Sequence, residues 1–105
     1  MNKNVFDRDF DIVYNALEFI NKSADYNRKY EMKFVDSSSC LALNIFKYDK
    51  RLYTFLYHKG NNPLAVFPED EKDFWTIKVN DNLKDTLIEL LNGIKWGNYA
   101  FNNNL

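Results

Sequence analysis

The stretch YEMKFVDSSSCLALNIFKYDKRLYTFLYH, residues 30–58, holds three strand-like runs in succession. Tyr30-Glu31-Met32-Lys33-Phe34 alternates apolar and charged side chains, the period of a half-buried strand. Asp36-Ser37-Ser38-Ser39 is a cluster of turn formers. Residues 40–48 and 51–58 are the next two runs, joined at Asp49-Lys50. With tight hairpins and an even number of loop residues, Phe34 is expected to face Leu41, and Met32 to face Leu43. Across the next pair, Ile45 should face Thr54 and Leu43 should face Leu56. This register predicts one aliphatic face (Tyr30, Met32, Phe34, Leu41, Leu43, Ile45, Leu52, Leu56). The other face carries Glu31, Lys33, Val35, Ala42, Asn44, Phe46, Tyr53, Phe55 and Tyr57. A slip of one residue exchanges the faces of a whole strand, so register decides which aromatics are available to a ligand.

The sheet extends beyond this stretch. Gly60-Asn61-Asn62-Pro63 is a turn signal. Residues 64–67 form a short run stopped by Pro68, which suits an edge position. Glu69-Asp70-Glu71-Lys72-Asp73 reads as a solvated acidic loop, and residues 74–79 as a fifth strand with Trp75, Ile77 and Val79 on one side.

A helix is expected on either side of the meander. Phe6, Phe10, Val13, Leu17, Ile20 and Ala24 recur at steps of three and four, which makes an apolar stripe. Asp7, Asp9 and Asp11 suit the positive end of that helix. A second helix starts near Asp81 or Asn82, both good N-caps, with Asp85 placed as in a capping box. Its stripe is Leu83, Leu87, Leu90, Leu91 and Ile94, and Gly93 fits its C-terminal end. The fold class predicted is α+β: an N-terminal helix, an antiparallel meander of four to five strands and a C-terminal helix. Residues 1–105 are expected to form a single domain ending in a polar tail at 102–105, with residues 96–101 covering part of the sheet.

Composition narrows the function classes. The chain has 105 residues, 46% of them hydrophobic, and a net charge of −1. Charge is unevenly spread: residues 28–59 carry seven basic and three acidic side chains, and residues 60–105 carry four basic and seven acidic. Such segregation steers association with a charged partner. One cysteine excludes an internal disulfide and fits a reducing compartment, so a cytoplasmic location is expected. No apolar targeting segment or membrane-length run is present in the sequence.

The chemistry-bearing residues are few. Cys40 and His58 are the only thiol and the only imidazole. A Cys–His nucleophile pair needs hydrogen-bond reach, and the register above sets the two on opposite faces. A single Cys and a single His argue against zinc, and the loop at 69–73 lacks the glycine and spacing of a calcium loop. With three glycines in the chain, no phosphate-cradling loop fits a known pattern. No catalytic centre, cofactor or metal is expected.

Two binding modes remain. In the first, the basic, tyrosine-bearing side of the central hairpin (Lys47, Lys50, Arg51, Tyr53, Tyr57) contacts a host or cognate protein, since exposed tyrosine beside Arg or Lys is the composition of an interface anchor. In the second, Phe46, Tyr53, Phe55 and Tyr57 stack the bases of a single strand, with Lys33, Lys47, Lys50 and Arg51 along its backbone. The slightly acidic whole favours the first. With fifteen asparagines and one cysteine, the composition resembles that of small phage and mobile-element proteins. That resemblance implies stoichiometric inhibition of a host defence protein, as in anti-CRISPR proteins, or toxin immunity. It rests on no motif and assigns no residues.

Overall fold

The computed structural model describes residues 8–68 and 74–92. The elements run α1 (Arg8–Lys22), α2 (Ala24–Lys29), β1 (Glu31–Asp36), β2 (Cys40–Lys47), β3 (Lys50–His58), β4 (Leu64–Pro68), β5 (Trp75–Ile77) and α3 (Leu83–Leu91). The five strands form one antiparallel sheet in sequence order, a plain meander. The α+β class and the helix–sheet–helix order are therefore those the sequence predicts.

The helical stripes are nearly as expected. Val13, Ala16, Leu17 and Ile20 of α1 are buried, as are Leu83, Leu87, Leu90 and Leu91 of α3. They join Leu41, Leu43, Ile45, Phe55, Tyr57, Leu64, Val66, Trp75 and Ile77 in one core cluster, so both helices lie on the same face of the sheet. Among the described residues, no helix covers the opposite face. Asn82 is the N-cap of α3, but its side chain makes no capping bond, so the expected capping box does not form. Phe6, Gly93, Ile94, the acidic loop at 69–73 and the tail lie outside the described residues.

The expected first helix breaks before Ala24. Ser23 sits in extended backbone, and its hydroxyl accepts the N–H of Tyr26 at 3.4 Å, which starts α2 as a separate helix. Such a cap stabilises a helix by about 1 kcal/mol. Ala24, assigned to the apolar stripe, is exposed on α2 instead. Arg28 pairs with Asp25 along α2, and Tyr30 ends the helix by donating its N–H to the Tyr26 carbonyl at 2.8 Å.

Both hairpin registers differ from expectation, with different consequences. In the first, Phe34 pairs with Leu43 and Met32 with Ile45, two residues from the predicted pairing. An even shift preserves the faces. In the second, the turn residues are Tyr48 and Asp49, both at positive φ (55° and 63°), which is the backbone of a type I′ hairpin. The pairing then changes step: Phe46 faces Arg51, but Ile45 faces Tyr53, so Leu52 is an extra residue on β3. This bulge reverses the faces of the rest of β3. Leu43 faces Phe55, not Leu56, and Ile45 faces Tyr53, not Thr54. The aliphatic side of β2 thus packs with Tyr53, Phe55 and Tyr57, while Thr54 and Leu56 turn to the open face.

Candidate partner-binding site

The bulge scatters the five residues expected to form one surface. Lys47 and Lys50 are exposed and face each other across the hairpin tip. Arg51 lies on the open sheet face beside Phe46, where its Nη1 donates to Thr54 Oγ1 and to the Phe67 carbonyl, both at 3.1 Å. Thr54 passes the chain on, its hydroxyl donating to Asn44 Oδ1 at 2.7 Å. Arg51 therefore ties β2, β3 and β4 together. Tyr53 is half-buried on the helix side, and Tyr57 is fully buried at 0% exposure. Tyr57 is a core residue, and its hydroxyl accepts the N–H of Asn61 at 3.0 Å, which fixes the turn after β3. The expectation that Tyr53 and Tyr57 stand exposed beside the basic side chains is corrected: only Lys47 and Lys50 occupy the tip.

What does stand there is Tyr48. It is 89% exposed, more than any other large apolar or aromatic side chain described. Its φ of 55° belongs to the left-handed region, uncommon for a bulky residue. Strained backbone of this kind clusters at ligand-binding positions. The Lys47 ammonium lies 5.5 Å from the Tyr48 ring centroid and 5.8 Å from that of Tyr30. Both distances are within cation–π range, where exposed examples contribute about 0.5–1 kcal/mol. Lys47 thereby links the hairpin tip to the end of α2.

Between them is an open cleft of about 430 Å3, lined by Arg28, Lys29, Tyr30, Glu31, Lys47 and Tyr48, with Asn27 and Phe46. Three cations and one anion line it, so it favours an acidic occupant. A larger cavity, about 580 Å3, opens on the other side of α2 against α3. There Tyr26 donates to Asn92 Oδ1 at 3.4 Å, and Tyr30 donates to the Leu91 carbonyl at 3.5 Å, so these hydroxyls serve the end of α3. The sequence carries a signal for this arrangement: Ser23 ahead of Asp25 is an N-cap pattern, and α2 follows from it.

Burial pushes the Tyr53 phenol above its ordinary value, and the neighbouring Tyr30 adds to the shift. Tyr26 shifts the same way, from burial first and then from Tyr30 and Asp25. A phenol with a raised folded-state pKa favours the fold while it is neutral. That contribution is complete below about pH 10 and is lost as pH rises through the raised value. Melting temperature is expected to fall as pH rises above about 10, and the fall to be shallower in Tyr53→Phe. An identical alkaline limb in that variant would assign the transition to other groups.

Cys40 and His58 are directly paired across β2 and β3, on the same face, which overturns the expectation that they lie on opposite faces. The Cys40 sulfur contacts Ser37 Oγ at 3.4 Å. Among the described residues, no cluster of three or more metal-ligating side chains exists, and no helix is long and apolar enough to cross a membrane. No protein-family model matches the chain, and neither a curated protein nor a solved structure matches it.

Proposed function

We propose that this is a non-enzymatic protein that works by stoichiometric binding of another protein, in the cytoplasm, through the hairpin tip and the adjoining end of α2. The observation that carries this reading is Tyr48: a nearly fully exposed aromatic in the left-handed region, held beside Lys47 at the mouth of a basic cleft. Rigid aromatics flanked by cations suit an interface anchor, with Lys29, Lys47 and Lys50 steering an acidic partner surface. The composition described above links this mode of action to inhibitors of host defence proteins, in the manner of anti-CRISPR proteins, and to toxin-immunity proteins.

A second reading has its own support. The open sheet face carries Phe46 with the Lys33 ammonium 5.6 Å from its ring, the stacked pair Phe67 and Phe74 at 5.0 Å, and Arg51. Aromatics and cations on an open sheet are the elements of a single-strand platform. The aromatics differ from those expected, since Tyr53, Phe55 and Tyr57 face the core and Phe46 alone of that set remains. Affinity capture from a host lysate, with and without nuclease, separates the two readings. A protein captured at a fixed molar ratio after nuclease treatment supports protein binding. Loss of all prey with nuclease supports the single-strand platform.

A further inference from the structure

The edge strand β1 has its unused backbone groups in a regular, readable order. Ser37 donates its N–H to the Cys40 carbonyl at 2.9 Å, and Lys59 donates to the Ser39 carbonyl at 3.0 Å. Alternation along antiparallel strands then fixes the rest. Even-numbered residues of β2 bond to β1, and odd-numbered residues bond to β3. On β1, Glu31, Lys33 and Val35 bond to β2. Met32, Phe34 and Asp36 therefore point their N–H and C=O groups outward from the sheet. Among the described residues, β2 is the only strand beside β1.

Soluble proteins usually guard such an edge with shortness, proline, a bulge or projecting charge. The opposite edge is guarded in this way, since β5 has three residues. Strand β1 has six residues, no proline and an unbroken register. Its central charge, Lys33, folds back across β2 onto the Phe46 ring, away from the edge. Beside the edge runs a half-buried aromatic row on the helix side: Phe10 to Tyr14 at 5.8 Å, and Tyr14 to Phe34 at 5.5 Å. Met32 is half-buried there too.

We propose that β1 pairs antiparallel with β1 of a second copy of this chain, making one continuous sheet across a two-fold axis at Phe34. The edge is self-complementary in this register. Phe34 meets Phe34 of the second copy, Met32 meets Asp36, and Lys33 meets Val35, with about six main-chain hydrogen bonds across the axis. The aromatic row of each copy meets its mate beneath the sheet, and this extended apolar strip is what favours a second copy over an isolated peptide strand. Moving the axis to Lys33 would oppose two like charges in a close pair. Moving it to Met32 would oppose Tyr30, whose N–H is already given to Tyr26. This interface is separate from the hairpin-tip site and stands or falls without it.

Sedimentation equilibrium of the full chain is expected to show a dimer, twice the 12.5 kDa chain mass, dissociating on dilution. Asp36→Pro removes an outward donor on each copy and leaves the β1–β2 bonds intact. The dimer dissociation constant should rise roughly thirtyfold, the loss of two main-chain bonds by symmetry. Asp36→Asn keeps the donor and should leave that constant unchanged, which separates the backbone effect from loss of the Asp36–Lys59 ion pair. Should Asp36→Pro fail to fold, amide exchange of the unaltered chain decides the matter. Met32, Phe34 and Asp36 amides should be protected and lose protection on dilution, while Val35 stays protected. A monomer at every concentration, with those three amides exchanging freely, overturns the proposal. So does a monomer whose capture of a partner protein is abolished by Asp36→Pro, since the edge then belongs to a partner strand.

Discussion

Tyr57→Ala is expected to lower the melting temperature by more than about 10 °C, the largest stability effect of any tyrosine change among the described residues. The side chain is fully buried in the core and its hydroxyl accepts the Asn61 N–H. Truncating a buried aromatic costs about 3–5 kcal/mol, and each kcal/mol shifts the midpoint of a domain this size by roughly 4–8 °C. That is a large fraction of the 5–15 kcal/mol that holds a small domain together. The Asn61 N–H adds to the loss, because it surrenders its partner in a turn where Gly60 and Asn61 both take positive φ, 118° and 62°. Tyr57→Phe separates the two contributions: it keeps the ring and should cost about 1 kcal/mol. Thermal melting of both variants checks the ordering. A Tyr57→Ala protein that melts like the parent would mean that Tyr57 stands at the surface after all.

The same residue shows where sequence reading ended. The helical stripes were legible because a helix face depends only on local spacing, and Val13, Leu17, Ile20, Leu83, Leu87, Leu90 and Leu91 are buried as the spacing predicts. The meander was legible because turn formers separate apolar runs. The faces of β1 and β2 were legible as well, since the first hairpin erred by an even step. The face of β3 was not. A two-residue turn leaves the faces in the order the sequence suggests, but the extra residue at Leu52 reverses them, and no residue type there announces a bulge. Both β3 faces carry side chains able to fill a core, Leu52 and Leu56 on one, Tyr53, Phe55 and Tyr57 on the other. Hydrophobic pattern alone therefore could not choose between them.

The candidate site was legible to the same degree. Lys47 and Lys50 were recognisable because charges flanking a hairpin turn project whichever way the strand rotates. Tyr53 and Tyr57 were misplaced by the bulge, whereas Arg51 precedes it and keeps the Phe46 face that the expected register gives it. Tyr48 reads as the last residue of a strand, but the turn begins one residue earlier than the sequence suggests and lifts it clear of the sheet. The contribution of α2 depended on seeing Ser23 as a cap inside what looked like one continuous helix.

Tyr48→Gly is expected to abolish most partner binding while leaving the fold as stable as before. Tyr48 is exposed and holds a φ of 55°, a conformation that glycine adopts freely. Relief of left-handed strain and the greater chain entropy of glycine oppose each other, so stability should stay within about 1 kcal/mol of the parent. Binding has no such offset. Losing an aromatic anchor costs at least about 2 kcal/mol, roughly thirtyfold in affinity. Lys47→Glu/Lys50→Glu acts differently: reversing charge at the rim should slow association and remove its salt dependence. Titration of each variant against the captured partner, beside its melting curve, gives both quantities. A Tyr48→Gly protein that folds and binds as tightly as the parent would move the contact away from the hairpin tip. The open sheet face, with Phe46, Phe67 and Phe74, is then the next surface to alter, and Phe46→Ala tests it with single-stranded oligonucleotide as the probe.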